Sequence, residues 1–132
     1  MNPTLRPLSE AAAAIQAGAL SPIALTRACL DRAKAINPLL NCLLTITEAE
    51  ALSEAAERER EIHAGRYRGP LHGIPYTAKD LFDTAGIATT AASSILRGRI
   101  PEADATVVRR LRDAGAVLIG KAHLSEFAAG PT

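Results

Sequence analysis

Aromatic side chains are scarce in this chain: two tyrosines, two phenylalanines and no tryptophan in 132 residues. A core made from it must rest on alanine, leucine and isoleucine. Cysteine is nearly absent as well. Cys29 and Cys42 are too few for a disulfide framework, and neither lies in a CxxC pair. Both are expected to be buried, reduced thiols. Excess charge of either sign is missing, with 15 Lys and Arg against 14 Asp and Glu. Bulk electrostatics therefore gives no reason for nucleic acid or an anionic membrane as partner. No apolar run approaches the ~18 residues of a membrane span, and the first seven residues lack the apolar core of a signal peptide. The expectation is a soluble, cytoplasmic protein. The three histidines, His63, His72 and His123, are far apart and show no metal-ligand spacing.

What is present is a chain that is 48% apolar, long enough for one modest domain and too short for two large ones. Helical periodicity predicts a helix over 8–17 closed by Gly18. A second helix starts at Ser21-Pro22, with Ser21 as N-cap, Pro22 at the first helical position and Leu25, Cys29 and Ile36 on its apolar stripe. Asn37-Pro38 is expected to end it. Residues 39–46 read as a strand. Thr47-x-x-Glu50 reads as a capping box for a third helix that carries Leu52, Ala56 and Ile62 and stops at Gly65. Residues 74–79 form the next strand, with Ile74, Tyr76 and Ala78 on one face and Thr77 and Lys79 on the other. Residues 83–102 read as a loop. Asp104 is expected to cap a fourth helix with Val107, Leu111 and Ala114 on one side, ended by Gly115. A buried strand at 116–119 and a short helix start at 124–128 complete the pattern. Strands alternating with helices argue for an α/β layer with a mostly parallel sheet. Three such strands make a thin sheet whose faces and edges need covering, so the domain is expected to be incomplete.

One segment points to chemistry. Gly69-Pro-Leu-His-Gly-Ile-Pro-Tyr-Thr-Ala-Lys-Asp80 sets Lys79 at the end of a short apolar strand behind a glycine-proline turn. Burial there would disfavour the ammonium and lower its pKa, which makes Lys79 a candidate general base. The plainer reading is a strand-end lysine that reaches solvent.

The same segment resembles the lysine-bearing segment of the amidase signature family. Other pieces agree in order: Ala35-Ile-Asn-Pro-x-Leu-Asn41, Asp83-x-x-Gly-x-x-Thr-Thr-x-x-Ser93, Asp104-Ala-Thr-Val-Val-x-x-Leu-x-x-Ala-Gly-Ala116, Gly120-Lys121 and Glu126-Phe-Ala-x-Gly130. The resemblance spans residue 8 to the last residue and implies a mixed, largely parallel sheet covered by helices. It implies that residues 1–132 are the N-terminal portion of a single domain, helical over 8–37 and α/β over 39–132. It also implies amide acyl transfer by a serine, a second serine on a cis peptide and a lysine. Lys79 matches the lysine. Both serines belong to downstream segments that these residues do not contain. Ser93-Ser94 match the Thr-Thr loop and lack the flanking glycines of the nucleophile.

Where the family often has glycine before Ser93 the chain has Ala92, which tolerates positive φ poorly. The implied readings are a hydrolytic amidase, the amidase-like subunit of a tRNA-dependent amidotransferase, or a truncated, non-catalytic complementing fragment. No metal or organic cofactor is implied. The implied partners are a small-molecule amide and either a second copy of the chain or a complementing C-terminal portion, with no direct nucleic-acid or membrane contact. Asp80 is expected to cap or bond the following turn, and Thr89 and Thr90 the local backbone. His72 is expected to make a turn hydrogen bond. Lys121 reads as exposed or ion-paired, Glu126 as an ordinary helix-start charge, and Arg109, Arg110 and Arg112 as a solvated helix face.

Overall fold

The computed structural model describes residues 3–130. Its elements run α1 (Leu8–Gln16), α2 (Pro22–Leu40), β1 (Leu43–Ile46), α3 (Glu48–His63), β2 (Pro75–Lys79), α4 (Thr106–Asp113) and β3 (Val117–Ala122), with single 3-10 turns at Pro3–Leu5, Ser94–Leu96 and Glu126–Ala128. The sheet has the order β1-β3-β2. β2 runs parallel to β3 and β1 antiparallel to it. The sheet is thus mixed, as the resemblance implies, rather than mostly parallel, as strand–helix alternation suggests. β1 turns over because α2 delivers the chain straight into it through a short left-handed corner at Asn41, φ 48°. Among the described residues no helix is long and apolar enough to cross a membrane.

Ser21 caps α2 as expected, accepting from the Ala24 N–H, and Pro22 opens the helix. Asn37-Pro38 does not end it. The helix carries Pro38 inside its last turn and continues to Leu40, so the strand expected from residue 39 begins only at Leu43. Asn37 explains how the corner is held. Its side-chain oxygen accepts from the Leu43 N–H at 2.8 Å, and its amide donates to the Leu43 carbonyl at 3.0 Å. The side chain therefore pairs with the first residue of β1 as a neighbouring strand would.

Two expected caps are redirected. Thr47 precedes α3 but caps nothing with its side chain; its hydroxyl donates to the Leu118 carbonyl at 2.8 Å, tying the helix start to β3. Asp104 does not cap α4, which begins after Ala105. One of its oxygens accepts from the Ala85 N–H at 2.8 Å, and the other meets Arg112 at 3.1 Å. Arg112 is therefore ion-paired rather than part of a freely solvated face, while Arg109 and Arg110 are exposed.

The apolar stripes of α3 and α4 sit one residue from the expected positions. Ala51 and Ala55, not Leu52 and Ala56, are fully buried, packed with Leu30 against Val117 and Ile119. Their small side chains let α3 lie close to the sheet. Val108 is buried and Val107 exposed. A second apolar cluster joins α1 to the sheet through Ala11, Ala12, Ile15, Leu25 and Ile74. Cys29 is half-buried and its thiol is pushed up by burial, whereas Cys42 is exposed, against expectation; both are free. The expected helix at 124–128 is only one 3-10 turn, broken by Phe127 at φ 51°.

The glycine-proline turn ahead of β2 is anchored from behind. His72 is fully buried. Its Nδ1 accepts from the Arg68 N–H at 3.0 Å, so Nε2 carries the proton and donates to Glu61 at 2.9 Å. Glu61 also bonds the Arg58 and Arg68 guanidiniums. Burial pushes the Glu61 carboxyl up, but the hydrogen bonds from Arg68, Arg58 and His72 outweigh it and hold it at about 2. Burial lowers the His72 pKa, and Glu61 only partly reverses that. Gly115 completes the fit. It adopts φ +85°, and a Cβ there would stand 2.4 Å from His72 Cδ2.

Two outcomes follow for stability. Gly115→Ala is expected to cost about 1–3 kcal/mol by overpacking against His72, with left-handed strain added, as read by urea denaturation. Acid is expected to destabilise the fold in two steps. Below about pH 6.5 the unfolded chain protonates His72 before the folded chain does, so stability falls. Glu61 contributes stability that is complete above its unfolded value of 4.5 and is lost as pH falls toward about 2. Denaturation midpoints at a series of pH values should fall across both windows, and His72→Gln should remove the upper step.

Candidate active site

β2 and β3 are parallel, so their C-terminal ends lie side by side, the location where open α/β sheets place ligands. Lys79 ends β2 opposite Ala122, and Lys121 stands opposite Ala78. Alternation sends the two lysines to opposite faces. Lys79 is exposed, with Thr77 on its face. Its side chain has no hydrogen bond or ion pair among the described residues. Burial of Lys79 within its own strand is thus not what the fold provides.

Lys121 has the opposite surroundings. Its side chain is fully buried and faces Asp80 at 3.3 Å; Asp80 is itself 1% exposed. The Lys121 ammonium also donates to the Phe82 carbonyl at 3.0 Å and to the Thr89 hydroxyl at 2.6 Å. Burial lowers its pKa, and the Asp80 charge and hydrogen bond oppose that shift. Of the two readings open for Lys121, ion-paired is the one realised. Gly120 beside it lies against β1, where a Cβ would stand 2.5 Å from the Thr45 carbonyl oxygen.

Asp80 gathers the edge. The N–H of Asp80 donates to the Ala122 carbonyl, and its own carbonyl accepts from the Ala91 N–H, each at 2.9 Å. The second carboxylate oxygen accepts from the Thr90 N–H at 2.9 Å and the Thr90 hydroxyl at 2.7 Å. Asp80 therefore bonds the loop ten residues on, in keeping with a structural role. Thr89 donates to the Ile87 carbonyl, the expected local bond, while Thr90 spends its hydroxyl on Asp80.

The loop so held is strained. Ala91 and Ala92 both take left-handed backbone, φ 51° and 54°, at roughly 1–2 kcal/mol each. Alanine at 92 thus occupies the conformation that glycine would take freely. A second strained turn meets it, with the Phe127 N–H donating to the Ala91 carbonyl at 2.9 Å. Ser93 is buried and donates to Glu126 at 2.6 Å, which gives Glu126 a partner beyond an ordinary helix-start charge. Beside this loop lies an open recess of about 360 Å³ whose lining includes Thr90, Ser93, Ser94, Arg97 and His123. His63 and His72 lie elsewhere, on and against α3. Among the described residues no cluster of His, Cys, Asp or Glu could hold a metal ion.

The Amidase family model matches residues 24–132. The chain belongs to the Amidase family. It is 50% identical over 123 residues to a mitochondrial glutamyl-tRNA(Gln) amidotransferase subunit of Ornithorhynchus anatinus, covering 93% of this chain and 23% of that protein. The corresponding protein of Homo sapiens is 45% identical over 125 residues, which are 95% of this chain and 24% of that one. Among solved structures, the peptide amidase of Stenotrophomonas maltophilia superposes with a TM-score of 0.87 at 46% identity, over 93% of this chain and 26% of that one. A fatty acid amide hydrolase gives a TM-score of 0.87 at 28% identity, over 92% and 22%. The chain spans about a quarter of the length of the relatives it matches.

Within this amidase-family fold, the sequence singled out Lys79 but gave Asp80 to the following turn, Thr89 and Thr90 to their local backbone and Lys121 to solvent or an ion pair; the structure brings Asp80, Thr89, Thr90 and Lys121 together. A signal for it existed. Gly120-Lys121 continues an apolar run expected to be buried, and a buried lysine requires a carboxylate such as Asp80. Removing one member of a buried ion pair typically costs about 3–5 kcal/mol. Lys121→Met is accordingly expected to lower the unfolding free energy by that amount. The Asp80→Asn/Lys121→Met pair, which leaves no unpaired charge, should recover a good part of it in the same denaturant titration.

Proposed function

We propose that this chain carries the general-base segment of an enzyme that transfers the acyl group of a carboxamide, with Lys79 as the base. The observation that carries the reading is the placement of Lys79. It is exposed at the C-terminal end of a parallel strand, its side chain uncommitted to any partner among the described residues, on a backbone pinned at its next residue. Lys121, the other lysine of this edge, is fully engaged and unavailable for proton transfer.

In the proposed reaction the neutral Lys79 amine takes a proton through a serine held by a cis peptide. That serine in turn takes the proton of a second serine, whose oxygen attacks the carboxamide carbon. Ammonia or an amine leaves with a proton, and water releases the acyl group. Both serines are supplied by polypeptide outside these 132 residues. No turnover is expected from these 132 residues by themselves, because neither serine of the proposed reaction is among them.

A second reading is the amidase-like component of a glutamyl-tRNA(Gln) amidotransferase. The 50% identity to a protein of that name favours it. The two readings share Lys79 and differ in what accepts the acyl group or ammonia.

The test is a chimaera in which this chain replaces the matching segment of the Stenotrophomonas maltophilia peptide amidase. Amide hydrolysis is expected in the chimaera and a loss of about 10²–10⁴-fold in kcat/KM on Lys79→Ala, with the melting temperature kept. Undiminished hydrolysis by the folded Lys79→Ala chimaera would overturn the assignment. Turnover by the 132-residue chain alone would overturn the expectation that both serines lie outside it.

A further inference from the structure

We propose that Lys121 is a positioning residue of the candidate site, holding the segment that bears Lys79 against the strained 89–92 loop. The inference rests on the reading of Lys79 as the base and adds what keeps it in place.

Four chain segments meet at the C-terminal edge: the end of β2 with the turn after it, the 89–93 loop, the end of β3, and the 125–128 turn. Two backbone bonds of Asp80 and one of Phe127 join them in part. Left-handed alanines at 91 and 92, with Phe127 and Ala128 at φ 51° and 56°, oppose that arrangement. Something else must hold the loop in its strained form.

The Lys121 ammonium is placed to do so. It touches both sides of the gap: the Asp80 carboxylate and Phe82 carbonyl on the β2 side, the Thr89 hydroxyl on the loop side. Asp80 relays the hold to Thr90 through two further bonds. Phe82 N–H donates to the Lys79 carbonyl at 2.9 Å, so the turn that Lys121 grips closes back on the candidate base. An ammonium is suited to this task because its donors point in different directions: two meet the Phe82 carbonyl and the Thr89 hydroxyl, while its charge pairs with Asp80 Oδ1 at 3.3 Å. Lys121 is fully buried, so its effect on Lys79 runs through the backbone.

The test is residue-resolved amide hydrogen exchange on the 132-residue chain, together with the ¹³Cε signal of Lys79. It compares the native chain with Lys121→Met and with the Asp80→Asn/Lys121→Met pair. The pair removes both buried charges, so it remains informative if Lys121→Met alone does not fold. In the pair, the Thr90, Ala91 and Phe127 amides are expected to exchange at least about tenfold faster. Amides of α3 should keep native protection, and the Lys79 signal should move. Native exchange at those three amides, or a native Lys79 signal, would overturn the proposal. So would equal acceleration throughout, the mark of a fold that is merely less stable. The experiment reads ordering and not turnover. A failure here leaves the chimaera result for Lys79 standing, and a failure there leaves this one standing.

Discussion

The buried pair of Lys121 and Asp80 is the constraint on which the C-terminal edge of the sheet depends. Two opposite charges without access to water must satisfy each other and spend their remaining bonding capacity on neighbours. Lys121 spends its capacity on Phe82 and Thr89, and Asp80 spends its own on Thr90. Those demands fix where the loop after β2 returns and impose left-handed backbone on two alanines. The strained loop and the turn at Phe127 meet where that ion pair is satisfied.

The opposite end of β2 is secured by a second polar device with different chemistry. His72, neutral and buried, uses one ring nitrogen as acceptor and the other as donor, while Glu61 collects Arg58 and Arg68. Helix α3 thereby grips the glycine-proline turn as the chain enters β2. Between these two anchors the strand is only five residues long. A lysine at its last position has little freedom in its backbone and much in its side chain. That combination suits a group that must meet a reacting proton without losing its register.

The family pattern was legible because glycines, prolines and charged residues at fixed separations encode turns and anchors that tolerate few alternatives. Helix α1 was legible from its alanine-rich periodicity and closing glycine, and the start of α2 from Ser21-Pro22. Two of the errors share one cause. Thr47 and Asp104 have side chains that suit a local cap, and each found a better partner across space: Thr47 bonds the Leu118 carbonyl, and Asp104 bonds Ala85 and Arg112. Local propensity is worth about a kilocalorie, so a long-range bond in a buried setting overrides it. The shift from Leu52 to Ala51 and from Val107 to Val108 has a similar origin. The sheet admits small side chains beneath α3, and one residue of helical rotation decides between adjacent apolar positions.

By itself the sequence determined the family, the alternation of strands and helices, and the position of Lys79 at a strand end. Those properties reside in spacing along the chain, and spacing survives without coordinates. Tertiary structure alone decided that β1 runs antiparallel, that Lys79 is the exposed lysine and Lys121 the buried one, and that Asp80 binds a loop ten residues away. Each of these depends on which side chain loses its water, and that is settled only when distant segments close over it.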